Sequence, residues 1–144
     1  PVNGKKGEGV EKILKKDFEK RLAQPQGKML MAQEFVDLAR EFRVYVVGKK
    51  AVGGMEKVSD SWLHNVSRGA KPARADLPKE VEEAAIKASL AVQTEVAGVD
   101  VGVTKKGLFV LEVNRSPGFK GYESLGIDFA KKVIEYLEQK AGRH

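Results

Sequence analysis

The chain has 144 residues, 42% of them hydrophobic and 32% charged, enough for about one domain with a buried core. Its apolar runs, such as Val44 to Val47, fall far below the roughly 18–20 residues of a membrane span, and the absence of cysteine excludes disulfides and thiolate chemistry. The net charge of +6 reads either as solvated helix faces or as attraction for an anionic ligand, a nucleotide or an acidic acceptor. Nucleic acid is disfavoured, because no aromatic stripe interleaves the basic residues and no recognition motif is present. No secretory leader opens the chain, and together with the missing cysteines this makes the cytoplasm the expected location.

The chain starts on a glycine-rich stretch, Pro1-Val2-Asn3-Gly4-Lys5-Lys6-Gly7-Glu8-Gly9, that fits neither P-loop nor G-x-G-x-x-G spacing. Lys15 to Leu22 has helical spacing, with Phe18 and Leu22 one turn apart, and Gln24-Pro25-Gln26-Gly27 interrupts it. Met29 to Val36 reads as a strand. Phe42 to Val47 and Ala51 to Val58 read as a hairpin turning at Gly48-Lys49, since glycine at the first central position suits a tight turn. Val58 to Asp76 is polar and reads as a loop. Asp76 is placed to cap a helix with Pro78 in its first turn, and that helix presents Val81, Ala85, Ala88 and Val92 on one face. A last helix runs from about Ile127 through Ala130, Val133 and Ile134 to Leu137. Helices packed on an antiparallel sheet make an α+β domain. The division expected is residues 37–144 as one core and residues 1–36 as part of another.

Val99 to Asn114 carries the most chemistry. A three-residue loop over Lys105-Lys106-Gly107 sets Thr104 against Leu108, Gly102 against Val110 and Asp100 against Glu112. Period-two alternation then puts Val99, Val101, Val103, Phe109, Leu111 and Val113 on the core face. The other face holds Asp100, Gly102, Thr104, Leu108, Val110, Glu112 and Asn114. Opposed carboxylates repel unless something positive compensates. With the Asn114 carbonyl beside them they form a hard-oxygen set that suits Mg²⁺, and Gly102 leaves room for a ligand. A solvated strand face with nearby lysines is the plain alternative, and a slip of one residue would dissolve the site.

Several segments, in order, resemble the distal motifs of ATP-grasp ligases of the RimK and LysX group. They are Gln33-Glu34-Phe35-Val36, Glu41-Phe42-Arg43-Val44-Tyr45-Val46-Val47-Gly48, Asn65 with Arg68-Gly69, Ala97-Gly98-Val99-Asp100, Leu111-Glu112-Val113-Asn114 and Ser116-Pro117-Gly118-Phe119. The resemblance covers nearly the whole chain and implies the C-terminal lobe of an ATP-grasp domain plus part of the smaller lobe. It implies an ATP-dependent carboxylate–amine ligase working through an acyl phosphate, with glutamate added to a protein or coenzyme acceptor favoured by Ser116-Pro117-Gly118-Phe119-Lys120-Gly121. A nucleotide-binding module without turnover is the alternative.

By resemblance, Asp100, Glu112 and Asn114 would hold two Mg²⁺ (or Mn²⁺) ions on the phosphates of ATP. Gln33, Glu34 and Phe35 would meet adenine, Glu41 the ribose hydroxyls, and Gly4, Gly7 and Gly9 the phosphates. Lys57, Arg68 and Asn65 would serve catalysis, and Arg43 and Ser116 the substrates. The plainer alternatives are one half of a surface cross-strand pair for Arg43 and an acidic residue at a strand start for Glu41. Trp62 and His64 fall in the polar loop, where a solvent-facing histidine is the commoner case. The family's second phosphate-binding lysine and its substrate domain would lie upstream, so the chain is expected to be a fragment that binds ATP poorly alone. Its implied partners are ATP, an amino acid, a carboxylate acceptor and the rest of the same enzyme, with a homo-oligomer left open.

Overall fold

A computed structural model describes residues 9–24, 27, 29–58, 71–74, 76–119, 123, 125–126 and 128–142. Its centre is a five-stranded antiparallel sheet. The strands are β1 (Arg40–Val47), β2 (Lys50–Val58), β3 (Lys71–Arg74), β4 (Val96–Thr104) and β5 (Gly107–Asn114), in spatial order β3-β2-β1-β4-β5. Three helices accompany it among the described residues: α1 (Phe18–Leu22, after a 3₁₀ turn at Lys15–Asp17), α2 (Lys79–Ala91) and α3 (Phe129–Ala141). The α+β reading holds.

β1 is central and buried on both faces, which its run of aromatic and β-branched residues permits. Phe42, Val44 and Val46 point to one side, where they pack with Val99, Val101, Val81 and Ala85 under α2. Burying each such side chain stabilises by about 1.5–3 kcal/mol. Tyr45, Val47 and Met55 point to the other side and meet Phe129, with Val133 and Tyr136 of α3 packed against them. Helix α3 therefore covers one end of that second face, and its other end carries charged residues.

The β1–β2 hairpin turns at Gly48-Lys49 as expected, with Val47 opposite Lys50 and Gly48 at φ 64. A bulge at Val52 shifts the register between Tyr45 and Val46, and the neighbouring Gly53 takes φ 135. Strand β3 lies within the segment expected to be loop. It forms as the partner of the edge of β2, with Met55 opposite Arg74.

Other expectations need correction. Met29 to Val36 forms no strand: a strand needs a ladder partner, and here Met29 and Met31 stay 76% and 70% exposed. Asp76 does not cap α2, since Pro78 itself occupies the N-cap position and no side chain caps it. The buried stripe of α2 ends on Ser89 rather than Val92. On α3 the core face is Phe129, Val133 and Tyr136, whereas Ile134 and Leu137 are 56% and 54% exposed. Asp128 caps α3, accepting from the Lys131 amide at 2.8 Å.

Helix α2 closes in a Schellman arrangement: Thr94 N–H donates to Ser89 C=O at 3.1 Å and Gln93 N–H to Leu90 C=O at 3.0 Å. The left-handed position falls on Gln93, at φ 54, where an L side chain costs about 1–2 kcal/mol. Gln93→Gly should therefore stabilise the protein by up to about 1 kcal/mol after the larger unfolded-state entropy of glycine is subtracted. Urea unfolding tests this, and a loss of stability would show that the Gln93 side chain contributes more than its backbone costs.

Residues 9–20 are exposed throughout. Glu11 pairs with Arg21 at 2.9 Å, and Lys12 lies 3.6 Å from the centre of the Phe35 ring. The chain joins the sheet at Ala39, whose amide donates to Val103 C=O at 2.8 Å.

Candidate active site

The β4–β5 hairpin does not turn as expected. Its loop has two residues, Lys105-Lys106, so Thr104 faces Gly107, Val103 faces Leu108 and Gly102 faces Phe109. A bulge at Leu111 then shifts the register between Asp100 and Val101 and restores Asp100 opposite Glu112. Two offsets cancel, and the opposed carboxylates survive. The faces near the turn do change: Leu108 packs against the core, while Phe109 and Leu111 are 39% and 43% exposed.

Arg43 on β1 is the register partner of Asp100 on β4. Its Nε donates to Asp100 Oδ1 and its Nη2 to Oδ2, both at 2.7 Å. Lys57 reaches from β2 to the same carboxylate, Nζ to Oδ2 at 2.6 Å, and also donates to Glu41. Asp100, Glu41 and Lys57 are 4%, 6% and 7% exposed. Arg43 is thus an internal pair rather than a surface one.

Burial works against the charged form of Arg43. The hydrogen bonds and charge of Asp100 outweigh it, with smaller help from Tyr45 and Glu112, and hold the guanidinium above its ordinary pKa. Such a bidentate, charge-assisted contact fixes orientation as well as charge.

Two glycines flank Asp100 along β4, and neither leaves open space. A Cβ on Gly98 would lie 2.7 Å from Pro117 Cβ, and one on Gly102 would lie 2.5 Å from Leu38 Cδ2. The room expected over Gly102 is filled by Leu38. Pro117 and Leu38 are walls of the site that were not anticipated. Tyr45 was missed as well, although period two from Glu41 and Arg43 would have put it on the same face.

Glu112 is exposed and forms no ion pair with another described residue. Asn114, half-buried and opposite Gly98, accepts from the Ser116 amide at 2.9 Å through Oδ1. Ser116 follows in an exposed turn. Among the described residues, no three His, Cys, Asp or Glu side chains gather as a stand-alone metal cage.

Of the other expected site residues, Gln33, Glu34 and Phe35 are exposed outside the sheet, and so is Gly9. Gly4, Gly7, Trp62, His64, Asn65 and Arg68 lie outside the described residues, as do Lys120 and Gly121. Among the described residues, no helix is long and apolar enough to cross a membrane.

Two cations converging on a buried carboxylate, an acidic residue opposite it, and an antiparallel sheet with α2 on one face and α3 over one end of the other agree with the distal lobe of an ATP-grasp domain. Residues 1–137 match the RimK-like ATP-grasp domain, and the chain belongs to that family. It is 37% identical to the tetrahydromethanopterin:alpha-L-glutamate ligase of Methanosarcina acetivorans, over 90% of this chain and 44% of that protein. It is 36% identical to the coenzyme gamma-F420-2:alpha-L-glutamate ligase of Methanocaldococcus jannaschii, over 81% of this chain and 41% of that protein. The chain thus spans about two fifths of the length of these curated relatives. Among solved structures it is similar to the ATP-grasp ligase PsnB in complex with a phosphomimetic variant of its minimal precursor, Mg and ADP. The TM-score is 0.58 at 21% identity, covering 71% of this chain and 32% of that one. This last likeness shows the ATP-grasp fold.

Proposed function

We propose that the protein to which this chain belongs is an ATP-dependent carboxylate–amine ligase that adds glutamate to the carboxylate of a coenzyme or protein acceptor. The observation that carries it is the row Arg43–Asp100–Glu112 across β1, β4 and β5, in a chain whose relatives are alpha-L-glutamate ligases.

The donor set fits a divalent cation. Asp100 Oδ2 accepts from both Arg43 and Lys57, Oδ1 accepts from Arg43 alone and keeps a lone pair for a cation, and Glu112 is exposed. Mg²⁺ takes one or two carboxylates and fills its shell with phosphate oxygens and water, and Mn²⁺ shares the preference for such ligands. Asp100, Glu112 and Asn114 would hold it. Bound there, the ion neutralises charge on the phosphates of ATP. The charges of Arg43, Lys57, Asp100 and Glu41 cancel, leaving Glu112 as the uncompensated anion of the group.

The remaining work is positioning and electrostatics, as phosphoryl transfer requires. Lys57 and Arg43 fix the Asp100 carboxylate in one orientation beside Glu112, and so help position the phosphates and the substrate carboxylate for in-line attack. Arg68 and Asn65 join them in this reading. Glu41 lies at the start of β1, where it meets the ribose, and Gln33 to Phe35 read adenine from the connection that precedes it. Gly4, Gly7 and Gly9 cover the phosphates, residues 1–36 belong to the smaller lobe, and Ser116 faces the substrates.

The test is turnover by the full-length protein with ATP, Mg²⁺, glutamate and acceptors ending in a carboxylate, among them pterin coenzymes, deazaflavin coenzymes and glutamate-tailed peptides. We expect ADP and phosphate release that depends on both glutamate and acceptor, with a new amide seen by mass spectrometry. Tight ATP binding without turnover on any of them would favour a nucleotide-binding module instead.

A further inference from the structure

Residues 114–119 leave the end of β5 and fold back over the face that carries the ion pairs. Tyr45, Gly98 and Asn114 are direct register partners across β1, β4 and β5. They form the row next to Arg43, Asp100 and Glu112, about 7 Å further along the strands. Pro117 is buried over Gly98, where no side chain longer than hydrogen fits beneath it. The Tyr45 hydroxyl donates to the Gly118 carbonyl at 2.9 Å, and the Phe119 ring lies 6.0 Å from Phe129. Tyr45 itself is fully buried, its ring 4.8 Å from that of Phe129. A buried phenol needs a polar partner. This one reaches a main-chain carbonyl in a turn whose own residues Ser116, Gly118 and Phe119 are exposed.

Direction matters as well. Glu41, Arg43 and Tyr45 follow one another along the same face of β1. The turn therefore lies beyond the ion pairs on the side opposite Glu41, away from where a ribose would sit.

We propose that Tyr45 is a positioning residue for binding of the amino-acid co-substrate. Through Gly118 its hydroxyl fixes the turn that sets Ser116 and Asn114 beside the Asp100–Glu112 pair, and Gly98 is the gap that lets Pro117 seat. What the turn binds rests on the ligase reading above; that Tyr45 and Gly98 hold the turn does not.

Tyr45→Phe keeps the ring against Phe129 and removes only the hydroxyl, while Gly98→Ala pushes Pro117 off its seat. Both are made in the full-length protein. Native-state trypsin cleavage after Arg115, an exposed residue at the start of the turn, should quicken about five- to tenfold in either variant, the size of one lost hydrogen bond. KM for the amino acid should rise by a similar factor, with KM for ATP within about twofold and the melting temperature of Tyr45→Phe nearly unchanged. Faster cleavage with an unchanged amino-acid KM would overturn the positioning role, and so would a uniform fall of all kinetic constants with the melting temperature. Unchanged cleavage would overturn the latch itself. A wild-type protein that ligates no amino acid would remove the ligase reading and with it the positioning role, leaving the cleavage comparison to decide the latch.

Discussion

Asp100→Ala should lower the unfolding free energy by about 3 kcal/mol, the lower end of what breaking a buried ion pair costs. The loss comes less from the contacts deleted than from the charges left behind. Arg43 would keep its guanidinium under the sheet face with no carboxylate to accept its two hydrogen bonds, and Lys57 would keep Glu41 alone among the partners described here. The lower end applies because the Arg43 side chain is 18% exposed and water screens part of its charge.

Urea unfolding measures the loss. Arg43→Met combined with Asp100→Leu should regain a good part of it, since replacing both partners removes the orphaned charge. A single-variant loss below about 1 kcal/mol would mean that solvent reaches Asp100 far more freely than its 4% exposure indicates. The exposed pair Arg40–Glu56, also bidentate with its shorter contact at 2.7 Å, is the natural control and should contribute under about 1 kcal/mol.

The same pairs show where sequence reasoning stops. The β1–β2 hairpin was legible because Gly48 marks its turn between two β-rich runs. The opposition of Asp100 and Glu112 was also legible, but for an incomplete reason. The turn at Lys105-Lys106 is one residue shorter than its glycine suggested, and the compensating bulge at Leu111 has no glycine to announce it. The α2 terminus hid in the same way, because Gln93 takes the left-handed position where glycine is the usual signal. Met29 to Val36 has strand composition but no partner strand among the described residues, and composition cannot supply a ladder. Nothing in spacing alone could show Arg43 from β1 and Lys57 from β2 beyond it converging on one carboxylate of β4. That fact depends on two registers at once.

Glu41 now predicts differently from Glu112, although both are acidic residues of the same site. Glu41 is buried on Lys57, so Glu41→Gln should cost stability along with any ribose contact. Glu112 is exposed and faces Asp100 across the β4–β5 ladder. Glu112→Gln keeps its shape and removes one of two opposed negative charges, so the fold should hold to within about 0.5 kcal/mol or gain slightly. Turnover should nevertheless fall by about a hundredfold or more, because exchanging an anionic for a neutral oxygen weakens the hold on Mg²⁺ and the charge balance at the phosphates is lost. The measurement is ATP turnover by the full-length variant with glutamate and acceptor, beside its thermal melting curve. Full kcat would remove Glu112 from the metal set and leave Asp100, already engaged by Arg43 and Lys57, as the sole carboxylate there. A parallel loss of stability and turnover would instead make Glu112 a strand residue whose contribution is to the hairpin rather than to the chemistry.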